Sequence, residues 1–155
     1  MQVKYSVEEV PGRGKGLIAQ EDIKEGTLIF DMDLAKKEVF TTEESFRNYL
    51  NGFDRERQQE ILIHAGVYEG VVHVLDDPTK YTNHSENPNL IPKPYGAKNF
   101  YAAWNIKKGE ELVENYCFHT YLEWFEKITQ ELDSFWWPES FLKSKMEKQP
   151  EQIHS

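Results

Sequence analysis

Three short segments of this chain gather the residue types that site chemistry needs. Gly12, Gly14 and Gly16 alternate within PGRGKG. Residues without a Cβ accept positive φ and let a backbone approach a bound molecule closely, which is why such loops cradle ligands. Asn83-His84-Ser85-Glu86-Asn87-Pro88-Asn89 crowds donors and acceptors into a loop closed by a rigid Asn-Pro step. Gly109-Glu110-Glu111-Leu112-Val113-Glu114-Asn115-Tyr116 leaves a tight turn, follows a strand pattern and ends on a phenol.

Taken singly, each segment has a plainer explanation: a turn between strands, local capping, and a half-buried aromatic with its hydroxyl satisfied. The glycine segment lacks GxGxxG spacing and does not clearly open a helix, so neither a dinucleotide fingerprint nor a P-loop fits. His84 has no second histidine, cysteine or carboxylate pair at ligand spacing, so no metal site is expected.

The elements that must hold these segments are mostly short strands. KYSVEEV, LIAQEDI and TLIFDM read as strands broken by the glycine cluster and a KEG turn. From Thr41 the period turns helical: Thr41 or Thr42 can cap, and Phe46, Tyr49, Leu50 and Phe53 recur at helical spacing. A second helical run covers Arg55 to His64, and YEGVVHVLDD reads as one or two strands. The proline- and asparagine-rich stretch from Tyr81 to Lys98 argues against a regular ladder. Strands return in NFYAAWNI and ELVENYCF. After His119 the residues Tyr121, Trp124, Phe125, Ile128 and Leu132 mark one face of a helix, with Glu123, Glu126, Lys127 and Glu131 mostly on the other. The last stretch, SKMEKQPEQIHS, is polar enough to fray.

At 155 residues the chain has the usual size of one domain, and 39% hydrophobic with 14% aromatic residues is too apolar for disorder. A formal net charge of −9 repels phosphate backbones and anionic headgroups, so neither nucleic acid nor a membrane surface is an expected partner. The same sign suits a basic polypeptide, although acidic surfaces also simply serve solubility. The single cysteine, Cys117, excludes an internal disulfide and points to a reducing, intracellular setting. The first residues, MQVKYSVEEVPGRGKG, carry no apolar export stretch, and nowhere do eighteen apolar residues run together.

In combination and in this order, the three segments resemble the SET domain family of protein lysine methyltransferases. Gly14-Lys15-Gly16 followed by LIA looks like the family's GxG. Lys80-Tyr81-Thr82-Asn83-His84-Ser85 with Pro88-Asn89 is similar to its RFxNHSxxPN signature, and Gly109 to Tyr116 matches its GEEL-to-tyrosine strand. The likeness runs from Gly12 to Cys117. It departs from the pattern at Glu86, where many members carry a zinc-binding cysteine, and at Lys80 and Asn115, which replace an arginine and an aspartate.

The resemblance implies a mainly β fold with helices (α+β): a SET-type β-clip of small curled sheets, a C-terminal pseudoknot, a helical insertion and a C-terminal helix. Residues 1–155 would form a single domain, with N-terminal strands over 3–40, the insertion over 41–70, the motif-bearing core over 71–117, an aromatic helix over 118–137 and a tail over 138–155. The implied cofactor is S-adenosylmethionine, with S-adenosylhomocysteine as product. Cofactor contacts fall to the backbone of Gly14, Lys15 and Gly16 and to Asn83 and His84, and the catalytic hydroxyl to Tyr116. Tyr81 and Phe100 or Tyr101 are candidates for lining the site, with core packing the alternative. Without a zinc tail, one of Trp124, Phe125 and Trp136 is expected to stack on the adenine, with Trp124 the named candidate and most of the stripe core; which of the three does so is not legible. The implied partner is a protein with an exposed, basic lysine-containing segment, a histone or another basic protein. A SET-like module that holds a peptide without catalysis is the alternative reading. Oligomeric state, target lysine and the number of methyl groups added are not legible.

Overall fold

The computed structural model describes residues 1–94, 97–116 and 121–134. Backbone contacts divide the chain into two compact units, Met1–Lys37 with Leu75–Phe118, and Glu38–Val74 with His119–Ser155. The described elements are small sheets and three α-helices, an α+β architecture.

The first unit opens with β1 (Tyr5–Val10) and β2 (Gly14–Ala19), antiparallel with Val10 opposite Gly14 and Glu8 opposite Gly16. The glycine segment is therefore more strand than turn: only Pro11–Arg13 reverse the chain, and Arg13 N donates to Val10 O at 3.0 Å. β10 (Glu111–Glu114) lies antiparallel to β2, and β7 (Asn83–His84) lies parallel to β10, so the sheet order is β1-β2-β10-β7. The KKGE turn that feeds β10 closes with Glu110 N donating to Lys107 O at 3.0 Å, and Gly109 at φ 96° takes the third turn position that favours glycine.

A second sheet in this unit orders β3 (Leu28–Asp31), β9 (Asn99–Ala102) and β8 (Leu90–Pro92). β8 is a departure from the sequence reading, since its proline-rich surroundings argued against a ladder. It forms because Leu90 has a wholly buried side chain to offer, and Pro92, which cannot donate, stands at the strand's last position opposite Phe100. The buried residues of this unit include Leu17, Ile29, Phe100, Ile106 and Leu112, each at most 1% exposed. Phe30 meets Phe100 edge-on at 5.9 Å.

The second unit contains α1 (Glu43–Leu50) and α2 (Arg55–His64), whose N-caps Thr42 and Asp54 accept from Ser45 N and Arg57 N. A three-stranded sheet follows, ordered β4 (Lys37–Phe40), β6 (Val71–Leu75) and β5 (Ala65–Tyr68). The YEGVVHVLDD stretch thus forms two strands, turning at Glu69 and Gly70. α3 (Glu123–Glu131) brings Phe125 and Ile128 against Phe46, Leu50, Ile61 and Leu62. Glu126, expected on the outer face, is 2% exposed. The buried stripe includes Thr129 as well as the aromatics, so it is wider than the apolar residues alone suggest. The expected helical start at His119, the residues Phe135 to Trp137 and the tail from Pro138 lie outside the described residues. Among the described residues no helix is long and apolar enough to cross a membrane.

Candidate active site

Asp77 starts the construction: its carboxylate accepts from Thr79 N at 2.9 Å and from the Thr79 hydroxyl, capping a single 3₁₀ turn, Pro78–Tyr81. The turn ends with the Thr82 hydroxyl donating to Thr79 O at 2.7 Å. The chain leaves it extended, and β7 carries Asn83 and His84 opposite Val113 and Glu114 of β10.

Asn89 secures that placement. Its side chain donates to Glu111 O at 2.8 Å and accepts from Val113 N at 2.9 Å, with the residue only 4% exposed. The loop between His84 and Asn89 is thereby tied to β10 at both ends, Ser85 N donating to Glu114 O at 2.8 Å.

Tyr116 follows β10 and is 5% exposed. Its hydroxyl donates to Thr82 O at 2.7 Å, and its backbone N–H donates to His84 Nδ1 at 3.1 Å. The neutral imidazole must then carry its proton on Nε2. The two rings lie 5.0 Å apart at 36°. Burial raises the Tyr116 pKa well above its ordinary value of 10.0, and the carboxylates of Glu114 and Glu111 add to the effect, because each disfavours a phenolate.

As pH rises, the unfolded chain therefore ionises at this position before the folded one does. The stability this group contributes is complete below the unfolded value and is lost above it. In alkaline denaturation above about pH 10, the native chain is expected to lose stability more steeply than Tyr116→Phe. Parallel curves for the two would contradict the burial of the phenol.

On the glycine side, Asn83 Nδ2 donates to Lys15 O at 3.0 Å and to Glu111 Oε2 at 2.7 Å. Arg13 reaches His84 O at 3.3 Å and Glu111 Oε1 at 3.5 Å. A Cβ on Gly16 would stand 2.6 Å from Glu111 Oε2 and 2.9 Å from Asn83 Nδ2, so only glycine leaves room for that contact. Tyr81 is flanked by two ammonium groups, Lys15 Nζ at 5.1 Å and Lys80 Nζ at 5.3 Å from its ring centroid.

Lys15, Gly16, Tyr81, Asn83, His84 and Tyr116 are thus linked within the first unit, and Gly14 continues the same strand opposite Val10. Of the lining candidates, Phe100 is wholly buried against Phe30 and is core. Tyr101 is half-buried, with Lys93 Nζ 5.5 Å from its ring. Trp124 belongs to the second unit, where its ring packs on Phe46 at 5.9 Å and Phe125 at 6.4 Å, and these are core contacts. Trp136 lies outside the described residues. Sequence reading missed Arg13, Thr82 and Glu111. Glu111 stood inside a recognised motif, but only the fold aims its carboxylate at Asn83.

The model of the SET domain family matches residues 14–117. A search of curated protein sequences returns no match. Among solved structures, similarity is found to ctPRC2 in an autoinhibited conformation bound to S-adenosylmethionine, at 22% identity and a TM-score of 0.56, over 83% of this chain and 17% of that one. The Neurospora SET domain protein DIM-5, a histone lysine methyltransferase, matches at 20% identity and a TM-score of 0.52, over 74% of this chain and 52% of that one. A humanized mutant of the Chaetomium thermophilum Polycomb Repressive Complex 2 matches at 24% and 0.53, over 75% of this chain and 15% of its own. The chain spans about half or less of the length of these relatives. With the glycine strand, the Asn-His strand and the tyrosine joined as described, and a family model that covers most of its length, the chain belongs to the SET domain family.

Proposed function

We propose that this chain is a protein lysine methyltransferase that transfers a methyl group from S-adenosylmethionine to the ε-amine of a lysine in a basic protein segment. The observation that carries the reading is the bonded path from Lys15 O through Asn83 to the parallel β7–β10 pair, and from His84 to Tyr116. When bound, the cofactor supplies a methyl group activated by a sulfonium charge.

The described residues suit a cationic ligand. Asn83 spends both N–H bonds on protein acceptors and keeps Oδ1 as an acceptor, and the carboxylates of Glu111 and Glu114 are close enough to raise the Tyr116 pKa. Gly14, Lys15 and Gly16 would offer backbone groups, with Asn83 and His84 beside them.

A lysine amine with an ordinary pKa near 10.4 is protonated at neutral pH, and attack needs its lone pair. Removing the proton costs about 4 kcal/mol, which desolvation in an aromatic surrounding can supply. Tyr116 is not the base. Its own proton is committed to Thr82 O and its pKa is raised, so the hydroxyl oxygen stays neutral and accepts an amine N–H. That contact aligns the nitrogen, and alignment lowers a displacement barrier by several kcal/mol.

The test is incubation of the chain with labelled S-adenosylmethionine and a lysate, followed by mass spectrometry of the labelled band. A methylated lysine is the expected result. A chain that binds the cofactor and a peptide but transfers nothing would instead be a catalytically silent binding module. His84→Ala is expected to weaken cofactor binding by about tenfold, or about 1.4 kcal/mol, through loss of the acceptor that fixes Tyr116 N. Titration calorimetry measures it.

A further inference from the structure

We infer that Glu111 is a positioning residue for the cofactor site, setting which end of the Asn83 amide faces the ligand; this rests on the reading that S-adenosylmethionine binds at this cluster. An asparagine amide has a donating end and an accepting end of nearly equal size, so its orientation is decided by its neighbours. Here both neighbours on one side accept only: Lys15 O at 3.0 Å and the Glu111 carboxylate at 2.7 Å. Turning the amide over would bring three oxygens together. The arrangement turns the NH₂ toward these two acceptors and leaves Oδ1 facing away from them, where a hydrogen-bond donor of the cofactor would meet it.

Lys15 O alone would enforce this only weakly, because a neutral acceptor binds an amide N–H about half as strongly as a charged one does. Three further features fit Glu111 to the task. Gly16 leaves the space through which carboxylate and amide meet. Arg13 lies 3.5 Å from Oε1, the oxygen that Asn83 does not use, so the carboxylate is oriented from both sides. The main chain of Glu111 is itself fixed, its carbonyl accepting from Asn89 at 2.8 Å.

Glu111→Gln separates position from charge, since it keeps the shape yet can show Asn83 either an acceptor or a donor. By titration calorimetry the variant is expected to bind S-adenosylmethionine about tenfold or more weakly than the native chain. KM for the cofactor should rise by a similar factor while kcat at saturating cofactor changes far less. A change in kcat without one in KM would overturn the assignment, and so would unchanged affinity in a folded Glu111→Gln chain. If the native chain itself fails to bind the cofactor, the functional reading falls first and the inference with it. A ligand-free readout guards against misfolding of the variant: in the native chain the Asn83 side-chain NH₂, assigned in nuclear magnetic resonance spectra by its loss in Asn83→Asp, is expected to exchange slowly with solvent. Exchange as fast as that of an exposed asparagine would refute the proposal.

Discussion

Tyr116→Phe is expected to lower turnover by about 10²–10³-fold, while the affinity for S-adenosylmethionine stays within a few-fold of the native value. The phenyl ring keeps its packing against His84 at 5.0 Å, and the backbone N–H that donates to His84 Nδ1 is untouched. What disappears is one hydroxyl whose proton is held by Thr82 O and whose oxygen would receive the amine. Loss of a single preorganised polar group aimed at the reacting atoms costs on the order of 10²–10³ in rate. Thr82 O, in a residue 7% exposed, is also left without that donor, which adds about 1–3 kcal/mol of destabilisation. Single-turnover kinetics beside calorimetry separate the two effects. A variant that is less stable but turns over at the native rate would reduce Tyr116 to a structural residue.

The largest loss of stability is expected from Phe46→Ala, about 3–5 kcal/mol. Phe46 is wholly buried, and its ring meets Phe40 at 5.3 Å, Phe125 at 5.7 Å, Trp124 at 5.9 Å and Tyr49 at 6.4 Å. Truncation removes the transfer energy of the ring and leaves a void that four aromatic neighbours cannot all close upon, because interiors pack near crystal density. For a chain of this length the midpoint of thermal unfolding should fall by on the order of 10 °C. A shift below 2–3 °C, roughly what 1 kcal/mol produces, would mean that the cluster collapses around the gap. Phe46→Leu, which keeps apolar volume, should cost less than half as much.

Neither substitution was equally legible in advance. Phe46 stood out through its spacing with Tyr49, Leu50 and Phe53, because a helix of 3.6 residues per turn puts such positions on one face. The caps of α1 and α2 and the turn at Gly109 are local in the same way. Each is decided by atoms within four residues, which is the range over which side chains compete with backbone for hydrogen bonds. Tyr116 was legible only through likeness to a family. Nothing in ELVENY specifies that its hydroxyl meets Thr82, 34 residues earlier.

The misread elements have the same origin. The strand over Leu90–Pro92 needed Phe100 and Tyr101 as partners, and a local reading of its prolines could not supply them. Glu126 is an ordinary outer-face residue by composition, yet it lies on the inward stripe of α3.

By itself, then, the order of residues determined where α1 and α2 start, where glycines must turn or yield space, and which three segments match the family's motifs. Tertiary structure alone decided that β10 lies between β2 and β7, that Glu111 holds the Asn83 amide from 28 residues away, and that Arg13 reaches Glu111 across 98. The physical reason is that propensity and capping act through neighbours along the chain, whereas the orientation of an amide or the pKa of a phenol depends on charges and oxygens that only a closed fold brings within a few ångströms.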